Sequence, residues 1–483
     1  MVIKMSEMLS AKIFDSRIKS EKVEKKEKWL GYFIGPISVI LMNSILSNYL
    51  NVYYTDVLDI SGIWGGLFIS AFPVVAKVLD VLTFIYMGVI VDRTRSRQGK
   101  ARPWILFSAP LLTVCMILLF IVPRGNDNLT AIWIFVSYTV FYAVAYTMYS
   151  KAHTLMVPLS THSEEERSKL SLLTNTPNMV AGSLIAILFP CIVVPMIGVN
   201  RKLWVGVMLG VAVVALPMIL LEYFYTRERV TEQNRMQEKG ESGKVSLREQ
   251  FKCCMKSRRW VILMLYLILI QTVNAMFSAG TFYYCNWVLG SYNDGYTQAL
   301  FYALGQAPLG IGIVLCRPVC NKLGKEKAMV GGFVLAFLGV LVCLINPGNL
   351  VLVLTGQVVR TIGLIPSTFM ISSMLGDALD EVEQVSGKRC DGFSSSVMNC
   401  ITTLMGGIAL CIFNFGISRL GYQAPTETLI PVQNAAVQNF IIFCVIGVQA
   451  AAYPVIALLQ LVAMKKTERN KFRRVPVKEG NYV

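Results

Sequence analysis

The stretch AMVGGFVLAFLGVLVCLIN, from Ala328 to Asn346, decides the fold of this chain. It contains no charged side chain, and a helix of about 20 apolar residues crosses the roughly 30 Å hydrocarbon core of a bilayer. Apolar runs of similar length recur on both sides of it. They occupy residues 30–54, 62–91, 104–123, 131–156, 174–197, 203–225, 260–288, 297–320, 328–346, 350–376, 393–420 and 437–463. This pattern predicts about twelve transmembrane helices.

The composition agrees with a membrane protein. Of 483 residues, 54% are hydrophobic and 15% are charged, whereas soluble domains carry roughly 25% charged residues. The basic residues behind the net charge of +16 flank alternate spans, as at Lys25, Arg95, Arg258 and Lys465. Under the positive-inside rule this predicts a multi-pass protein of the inner (plasma) membrane with both termini in the cytoplasm. The lipid bilayer is therefore an expected partner, and nucleic acid is not, since it would require a basic face on a soluble fold.

The longest polar stretch between spans divides the chain into two halves. It runs from Thr226 to Arg259 and is rich in Glu, Lys, Arg and Gln. The predicted domains are a cytoplasmic N-terminal segment (1–29), a first six-helix bundle (30–225), a cytoplasmic central loop (226–259), a second six-helix bundle (260–463) and a cytoplasmic tail (464–483). The predicted fold class is an all-α membrane protein of two six-helix bundles.

The sharpest local motif lies at the cytoplasmic end of the second span. It reads Gly-x-x-x-Asp-Arg-x-Arg-x-Arg-x-Gly-Lys from residue 88 to residue 100. Glycine permits close helix approach, while the aspartate and the arginines can form charge-assisted hydrogen bonds and cap helix ends. We expect a latch that holds one conformation and opens in the other; the alternative is that the charges only fix the topology. The candidate gating residues are Gly88, Asp92, Arg93, Arg97, Gly99 and Lys100.

Together with other motifs, this loop resembles the glycoside-pentoside-hexuronide:cation symporters of the major facilitator superfamily, the family typified by the melibiose carrier. The matching motifs follow in register along most of the chain. They are Tyr53-Tyr54-Thr55-Asp56, Lys77-x-x-Asp80, Met87-Gly88, Arg95-Ser96-Arg97-x-Gly99-Lys100-x-x-Pro103-Trp104, Tyr146-Thr147, Val157-Pro158, Tyr283-Tyr284, Asp377-x-x-Asp380-x-x-Glu383 and Arg389-Cys390-Asp391. The resemblance implies the major facilitator fold, with a central solute site reached alternately from each side as the halves rock.

The resemblance also implies a cation site on the second span. Asp80 occupies the place of a cation-binding aspartate, and Thr147 matches a threonine of that site. Thr83 and Phe84 stand where the family keeps an asparagine and a second aspartate, so one negative charge is missing and the proton is favoured over sodium. The candidate cation ligands are Asp80, Thr83 and Thr147. Three hypotheses stay open: proton coupling through Asp80, facilitated diffusion without an ion, and a structural Lys77–Asp80 pair. No other cofactor and no metal are expected.

Polar side chains repeat at helical spacing on the first, seventh and eleventh spans. They are Asn43, Ser44, Ser47, Asn48, Asn51, Gln271, Asn274, Ser278, Thr281, Ser395, Asn399 and Thr402. Neutral donors and acceptors suit a polyhydroxylated solute, although they also form interhelical hydrogen bonds in tight bundles. The resemblance places the family's sugar contacts on changed residues, among them Ser150, Asn175 and Thr403. The candidate solute-binding residues are Asn43, Ser47, Ser150, Lys151, Asn175, Arg360, Asn399 and Thr403.

Lys151 and Arg360 carry a further hypothesis. A charge inside a span costs roughly 2.5–3.5 kcal/mol at mid-bilayer and usually faces a partner or a wet cavity. We expect these two residues to recognise an anionic group such as a uronate carboxylate or a sulfonate; the alternative is that either one snorkels or pairs with Asp80. His153 is expected to pack or hydrogen-bond rather than to relay protons.

The predicted function is secondary active transport of a small-molecule solute, with uptake of a sugar or sugar acid coupled to a cation. The alternatives are a carrier of lysolipid or another amphiphile from the same superfamily, and a uniporter or sensor without ion coupling. An enzyme is not expected, because no paired carboxylates, His/Cys cluster or nucleophile constellation lies within a span.

Overall fold

A computed structural model describes residues 14–94, 96, 98–161, 163–230, 247–387 and 390–471, and helices make up most of these residues. The helices are named α1 to α13 in chain order. They are α1 (Glu27–Val57), α2 (Leu67–Arg93), α3 (Arg102–Leu118), α4 (Asp127–Ser160), α5 (Glu164–Leu188, continuing to Ile197), α6 (Arg201–Phe224), α7 (Leu247–Lys256), α8 (Arg258–Leu289), α9 (Gly295–Leu323), α10 (Lys325–Ile345), α11 (Leu350–Ser386), α12 (Asp391–Arg419) and α13 (Ala435–Val462, continuing to Lys471).

Each predicted span coincides with one of these helices, and α7 is an additional short helix in the predicted central loop. Within the described residues, nine helices are long and apolar enough to cross a membrane, and α3 and the end of α5 are shorter apolar helices. The boundaries differ most at α5, which begins at Glu164, and at α11, which ends at Ser386. Both helices continue through polar turns, where a search for apolar runs has no signal. Parts of the predicted terminal segments and central loop lie outside the described residues.

Asparagine side chains begin three of the long helices. Asn126, Asn200 and Asn349 precede α4, α6 and α11 with extended backbone, and each side chain accepts hydrogen bonds from the N–H groups two and three residues later. These caps satisfy N–H groups that the helix itself cannot pair. All three lie in loops that the charge pattern places outside the cytoplasm.

The chain divides into two compact units, which differ from the two predicted halves. Unit 1 comprises Met1–Gly243, Thr281–Tyr302 and Gly406–Phe440, and unit 2 comprises Lys244–Gly280, Ala303–Met405 and Ile441–Val483. Unit 1 takes in segments from the second half of the chain because they bond to α1. The Tyr283 hydroxyl lies 2.7 Å from Thr55 Oγ1, and the Asn51 and Asn414 side chains exchange two hydrogen bonds of 3.0 Å.

An aromatic cluster packs α1 against α3 and α6 within unit 1. The Tyr53 and Phe120 rings lie 4.7 Å apart, and the Phe120 and Trp204 rings stack at 6.2 Å. All three side chains are buried, and such pairs contribute about 0.5–1.5 kcal/mol beyond their area of burial. The end of α1 is thereby fixed in place.

The loop between α2 and α3 closes over the buried carboxylate of Glu228. Glu228 Oε2 accepts a hydrogen bond of 2.8 Å from the N–H of Lys100, and Oε1 accepts hydrogen bonds of 2.8 Å from the N–H groups of Ala101 and Arg102. Gly99 has a φ of +117°, and a Cβ there would lie 2.3 Å from Glu228 Cδ. Glycine is therefore required at this position. The carboxylate also offsets the positive end of the α3 dipole.

We expect Glu228→Ala to lower the free energy of unfolding by at least about 3 kcal/mol, because three N–H groups lose an acceptor and each hydrogen bond to a charged group contributes about 1.5–3 kcal/mol. Thermal unfolding can be followed by the reaction of a thiol-specific dye with buried cysteines such as Cys115 and Cys285. Glu165→Ala is the matched control, since that carboxylate is mostly exposed and bonds only to Lys169 among the described contacts. Equal losses in the two variants would contradict the role of Glu228.

Candidate functional site

Asp80 and Lys77 form an ion pair on α2. Lys77 Nζ lies 2.8 Å from Asp80 Oδ2 and 4.1 Å from the centroid of the Tyr142 ring. Asp80 is buried, and within the described part of the chain its Oδ1 has no hydrogen-bond partner. Gly407 packs on the lysine stem, where a Cβ would come within 2.8 Å of Lys77 Cγ. The pair named in the third hypothesis is therefore present, and it neutralises the carboxylate.

The two threonines expected near Asp80 hydrogen-bond within their own helices. Thr83 Oγ1 donates to the carbonyl of Leu79, and Thr147 Oγ1 donates to the carbonyl of Tyr142, both at 2.9 Å. Thr147 follows a π-helical turn, Val140–Tyr146, and such turns are frequent at functional sites. Thr83 Oγ1 also lies 3.1 Å from the backbone carbonyl of Asp80. Among the described contacts neither hydroxyl bonds to the Asp80 carboxylate, so these side chains do not form an oxygen cage around it.

Lys151 of α4 lies against α2 one turn beyond Asp80. Its Nζ is 3.4 Å from the centroid of the Phe84 ring and 4.0 Å from the place that a Cβ on Gly88 would take. The ring face attracts the ammonium group electrostatically. A second positive charge therefore lies beside α2 at the position where the family keeps an aspartate.

The predicted solute residues of unit 1 lie on accessible faces. Ser47 is exposed, and Asn43 and Ser150 are partly exposed. Asn48, on the same stripe of α1, donates a hydrogen bond of 2.7 Å to the carbonyl of Ser44. The side chain of Asn175 lies outside the described part of the structure.

The polar faces of unit 2 are also accessible in part. Asn399 is exposed and Thr403 is partly exposed on α12. Gln271 Nε2 of α8 donates a hydrogen bond of 2.7 Å to Thr402 Oγ1 of α12, so some of these groups do form interhelical bonds. Thr281 belongs to unit 1 and is buried, unlike the rest of its stripe.

Arg360 is enclosed within unit 2. Its residue is 4% exposed, its Nη1 donates a hydrogen bond of 3.2 Å to Gln449 Oε1, and its guanidinium lies 4.5 Å from the centroid of the Phe277 ring. Within the described residues its Nε has no hydrogen-bond partner. Lys151 is partly exposed and is therefore the more accessible of the two cations.

The predicted gating loop is partly described. Arg97 lies outside the described residues, as do the side chains of Asp92 and Arg93. Gly99 and Lys100 belong to the loop over the Glu228 carboxylate, and Gly88 faces Lys151. The loop is further held by Arg102, whose Nη2 donates a hydrogen bond of 3.0 Å to the carbonyl of Tyr223.

A buried carboxyl cluster that sequence reasoning missed joins α6 to α4. The Tyr149 hydroxyl donates to Glu222 Oε2 at 2.5 Å, and His153 Nδ1 lies 2.6 Å from Glu222 Oε1. The Tyr149 and His153 rings stack with centroids 5.5 Å apart. Glu222 lies in the last turn of the apolar run 203–225. A charged side chain at that position normally reaches the membrane–water interface, so the hydropathy pattern does not show that Glu222 is buried.

A second missed cluster surrounds Asp56 at the end of α1. The carboxylate accepts hydrogen bonds from Thr55 Oγ1 at 2.8 Å, from the Tyr422 hydroxyl at 3.0 Å and from the Tyr292 hydroxyl at 3.2 Å. Burial, together with the neighbouring Asp56 charge, raises the pKa of the Tyr292 and Tyr422 hydroxyls well above the usual range. Both tyrosines therefore stay protonated and donate. A cleft of about 610 Å³ within unit 1 reaches Asp56 and is also lined by Arg124 and Arg201.

A sequence model of the family described as MFS/sugar transport protein matches residues 31–464. The chain belongs to this family. The predicted family and all-helical fold class are thereby confirmed: the protein is a multi-pass membrane transporter of the major facilitator superfamily and of the glycoside-pentoside-hexuronide type, and it is not an enzyme.

Curated relatives within this family include named sugar transporters. The chain is 26% identical over 445 residues to the isoprimeverose transporter of Lactiplantibacillus pentosus, covering 89% of this chain and 87% of the relative. It is 26% identical over 447 residues to the inner membrane symporter YicJ of Escherichia coli, covering 92% of each. It is 21% identical over 415 residues to a lactose permease of Leuconostoc lactis, covering 80% of this chain and 61% of the relative.

Solved transporter structures share the fold at low identity. A bacterial homologue of the human lysosomal transporter Spinster, inward-facing and unoccupied, matches with a TM-score of 0.62 at 12% identity, covering 94% of this chain and 100% of that one. The nucleoside transporter NupG matches with a TM-score of 0.58 at 12% identity, covering 91% of this chain and 98% of that one. At this identity the likeness concerns the fold alone.

We expect Lys77→Ala to lower the free energy of unfolding by about 3–5 kcal/mol, because it leaves the Asp80 carboxylate buried without a counter-charge. The double variant Lys77→Ala/Asp80→Ala removes both charges and should recover about 1–3 kcal/mol of that loss. The thiol-dye unfolding assay measures Lys77→Ala, Asp80→Ala and the double variant against the parent protein. Additive losses in the double variant would show that the two side chains do not stabilise each other.

Proposed function

We propose that the protein takes up a neutral, glycoside-type solute together with a proton. The observation that carries this proposal is the accessible polar stripe of α1. Asn43 and Ser47 lie on it, and no charged residue occurs between Lys28 and Asp56. Amide and hydroxyl groups both donate and accept hydrogen bonds, which suits the hydroxyl groups of a sugar. The names of the isoprimeverose and lactose relatives support this solute class.

The other solute contacts that we propose lie on α4 and α12. Ser150 is next to Lys151 on α4, and Asn399 and Thr403 share one side of α12, four residues apart. All three offer the same uncharged hydrogen-bonding chemistry as the α1 stripe. Arg360 and Asn175 remain predicted contacts.

The coupling ion in this proposal is the proton rather than sodium. A hard cation requires several oxygen ligands with net negative charge. The Asp80 charge is already balanced by Lys77 at 2.8 Å, and the Lys151 ammonium lies one turn further along α2. A carboxylate that is already paired with an ammonium group is a poor ligand set for an alkali cation, whereas a proton needs only one basic atom.

We also propose that the protein lies in the inner membrane with both termini in the cytoplasm. The motif loop between α2 and α3 and the segment around Arg258 carry the basic residues, whereas the three asparagine-capped loops carry few. Short basic loops remain on the cytoplasmic side under the positive-inside rule.

Counterflow in proteoliposomes tests the solute class. The panel contains isoprimeverose, lactose, a uronate, a sulfonated sugar and a lysolipid, each added outside vesicles that are preloaded with the same unlabelled compound. We expect exchange of at least one neutral glycoside, and we expect Asn43→Ala and Ser47→Ala each to reduce it by about two- to tenfold, since one hydrogen bond contributes about 0.5–1.5 kcal/mol. Ser20→Ala, in an exposed segment before α1, is the control. Exchange of the lysolipid alone would favour an amphiphile carrier, and binding without exchange would favour a sensor.

The accessible Lys151 ammonium favours a second candidate, a transporter of acidic sugars. A partly exposed cation beside Ser150 is suited to bind a carboxylate or a sulfonate together with hydroxyl groups.

Under this second candidate, Lys151→Gln should reduce counterflow of the uronate by about tenfold or more, since a charged hydrogen bond contributes about 1.5–3 kcal/mol, and should leave neutral glycosides unaffected. Lys169→Gln is the matched control, because that ammonium pairs with Glu165 in an exposed part of α5. Equal uptake of the uronate by the parent and Lys151→Gln would exclude the acid-recognition role.

A further inference from the structure

We propose that Glu222 and His153 form the site that binds the coupling proton. The proposal rests on proton-coupled transport as the function. The site is a carboxylate–imidazole pair on α6 and α4, and it is distinct from the Lys77–Asp80 pair on α2.

Four buried carboxylates of unit 1 differ in the side chains that hold them, and a fifth, Glu228, is held by backbone N–H groups. Asp80 faces an ammonium group, Glu27 faces the Arg229 guanidinium at 2.8 and 3.1 Å, and Asp56 accepts three hydroxyl hydrogen bonds. Ammonium, guanidinium and phenol groups keep their protons at physiological pH. Glu222 instead faces an imidazole, the side chain whose ordinary pKa lies in that range.

The geometry specifies where the proton binds. His153 Nδ1 lies 2.6 Å from Glu222 Oε1, and we assign the tautomer that carries its hydrogen on Nδ1 and donates it to the carboxylate; the Tyr149 hydroxyl donates to Oε2. With these two bonds in place, the free basic atom of the cluster is His153 Nε2. Uptake of one proton at Nε2 converts the imidazole to imidazolium and changes the charge of the pair from −1 to zero. Release of the same proton restores the −1 state.

Burial couples this charge change to conformation. The Glu222 side chain is 1% exposed and the His153 side chain 16% exposed, so the imidazole connects an enclosed carboxylate with accessible space. A net charge of −1 is unfavourable in a dry helix interface, whereas the neutral loaded pair is tolerated. The unloaded pair therefore favours any conformation that admits water to it, which is the requirement for alternating access.

The surroundings leave the pair as the titrating unit. On α1, Tyr32 lies within electrostatic range of Glu222, and its hydroxyl donates to the carbonyl of Met156. Glu27 and Arg229 form a balanced ion pair near Tyr32. On α4, Tyr146 adds only another phenol next to Tyr149. Gly35 of α1 packs directly on Glu222, since a Cβ there would lie 2.6 Å from Glu222 Cβ. Movement of α1 against α6 would therefore displace the Glu222 side chain.

The pair is also next to a proposed solute contact. His153 follows Ser150 by three residues on α4, so the two side chains are neighbours along the helix surface. A solute bound at Ser150 and a proton bound at His153 therefore act on the same turn of one helix.

The first test compares exchange with accumulation in proteoliposomes, with isoprimeverose as the probe. In Glu222→Gln and in His153→Gln we expect counterflow to stay within about threefold of the parent, while accumulation driven by a proton gradient falls at least tenfold, to the level of exchange. Glu222→Asp should restore accumulation in part. Loss of exchange and accumulation together in both neutral variants, or full accumulation in Glu222→Gln, would overturn the proposal.

The second test does not depend on the solute. The chain contains two histidines, so infrared difference spectra between about pH 5 and pH 8, recorded on protein purified without a histidine tag, can assign the imidazole bands. In His162→Gln, which removes the other imidazole, we expect imidazole bands that are absent from the double variant His153→Gln/His162→Gln. If these bands are present and no glycoside of the panel is exchanged, the proton site stands and the proposed function fails. If these bands are missing from His162→Gln, the proton site fails whatever the solute.

Discussion

The constraint on which the structure depends is that a charge within a bundle of apolar helices must be compensated by its immediate neighbours. Four buried carboxylates of unit 1 meet it through different side chains, and a fifth, Glu228, accepts hydrogen bonds from three backbone N–H groups. The pairings are Glu27 with Arg229, Asp80 with Lys77, Asp56 with Thr55, Tyr292 and Tyr422, and Glu222 with Tyr149 and His153. In the first two the carboxylate faces a cation, in the third it accepts hydrogen bonds from three hydroxyl groups, and the fourth contains an imidazole. We therefore assign the proton-dependent step to the fourth.

The same constraint explains how this chain departs from its family without losing the fold. Where the family pattern has a second aspartate on α2, this chain has Phe84, and the Lys151 ammonium lies over its ring at 3.4 Å. The ring face attracts the ammonium group electrostatically, so Phe84 contributes a cation–π contact at this position. The region that binds a cation in the family carries its own positive charges here, which accords with a proton site placed on another pair of helices.

Sequence reasoning predicted the fold well because the bilayer imposes a length and a polarity that can be read directly from a single stretch such as 328–346. It also predicted the Lys77–Asp80 pair, since residues three apart share a helix face. It did not predict the division into two units, because that depends on contacts between distant residues such as Tyr283 and Thr55. Glu222 and Asp56 were missed for another reason: both lie at the end of an apolar run, where only the packing of other helices shows that the carboxylate is buried.

Some parts of the protein are held rigidly by hydrogen bonds and packing, whereas others remain accessible. The Glu228 carboxylate holds three N–H groups at the start of α3, and the aromatic cluster around Phe120 holds the other end of the same helix. The imidazole of His153, by contrast, remains partly accessible on a helix that also carries Ser150 and Lys151. The most direct test of coupling is the movement of protons with solute. Isoprimeverose, or whichever glycoside of the panel is exchanged, is added in the absence of sodium to proteoliposomes that contain a trapped pH dye. We predict acidification of the vesicle interior that follows solute entry, whereas solute entry without acidification, or entry only when sodium is present, would contradict proton coupling.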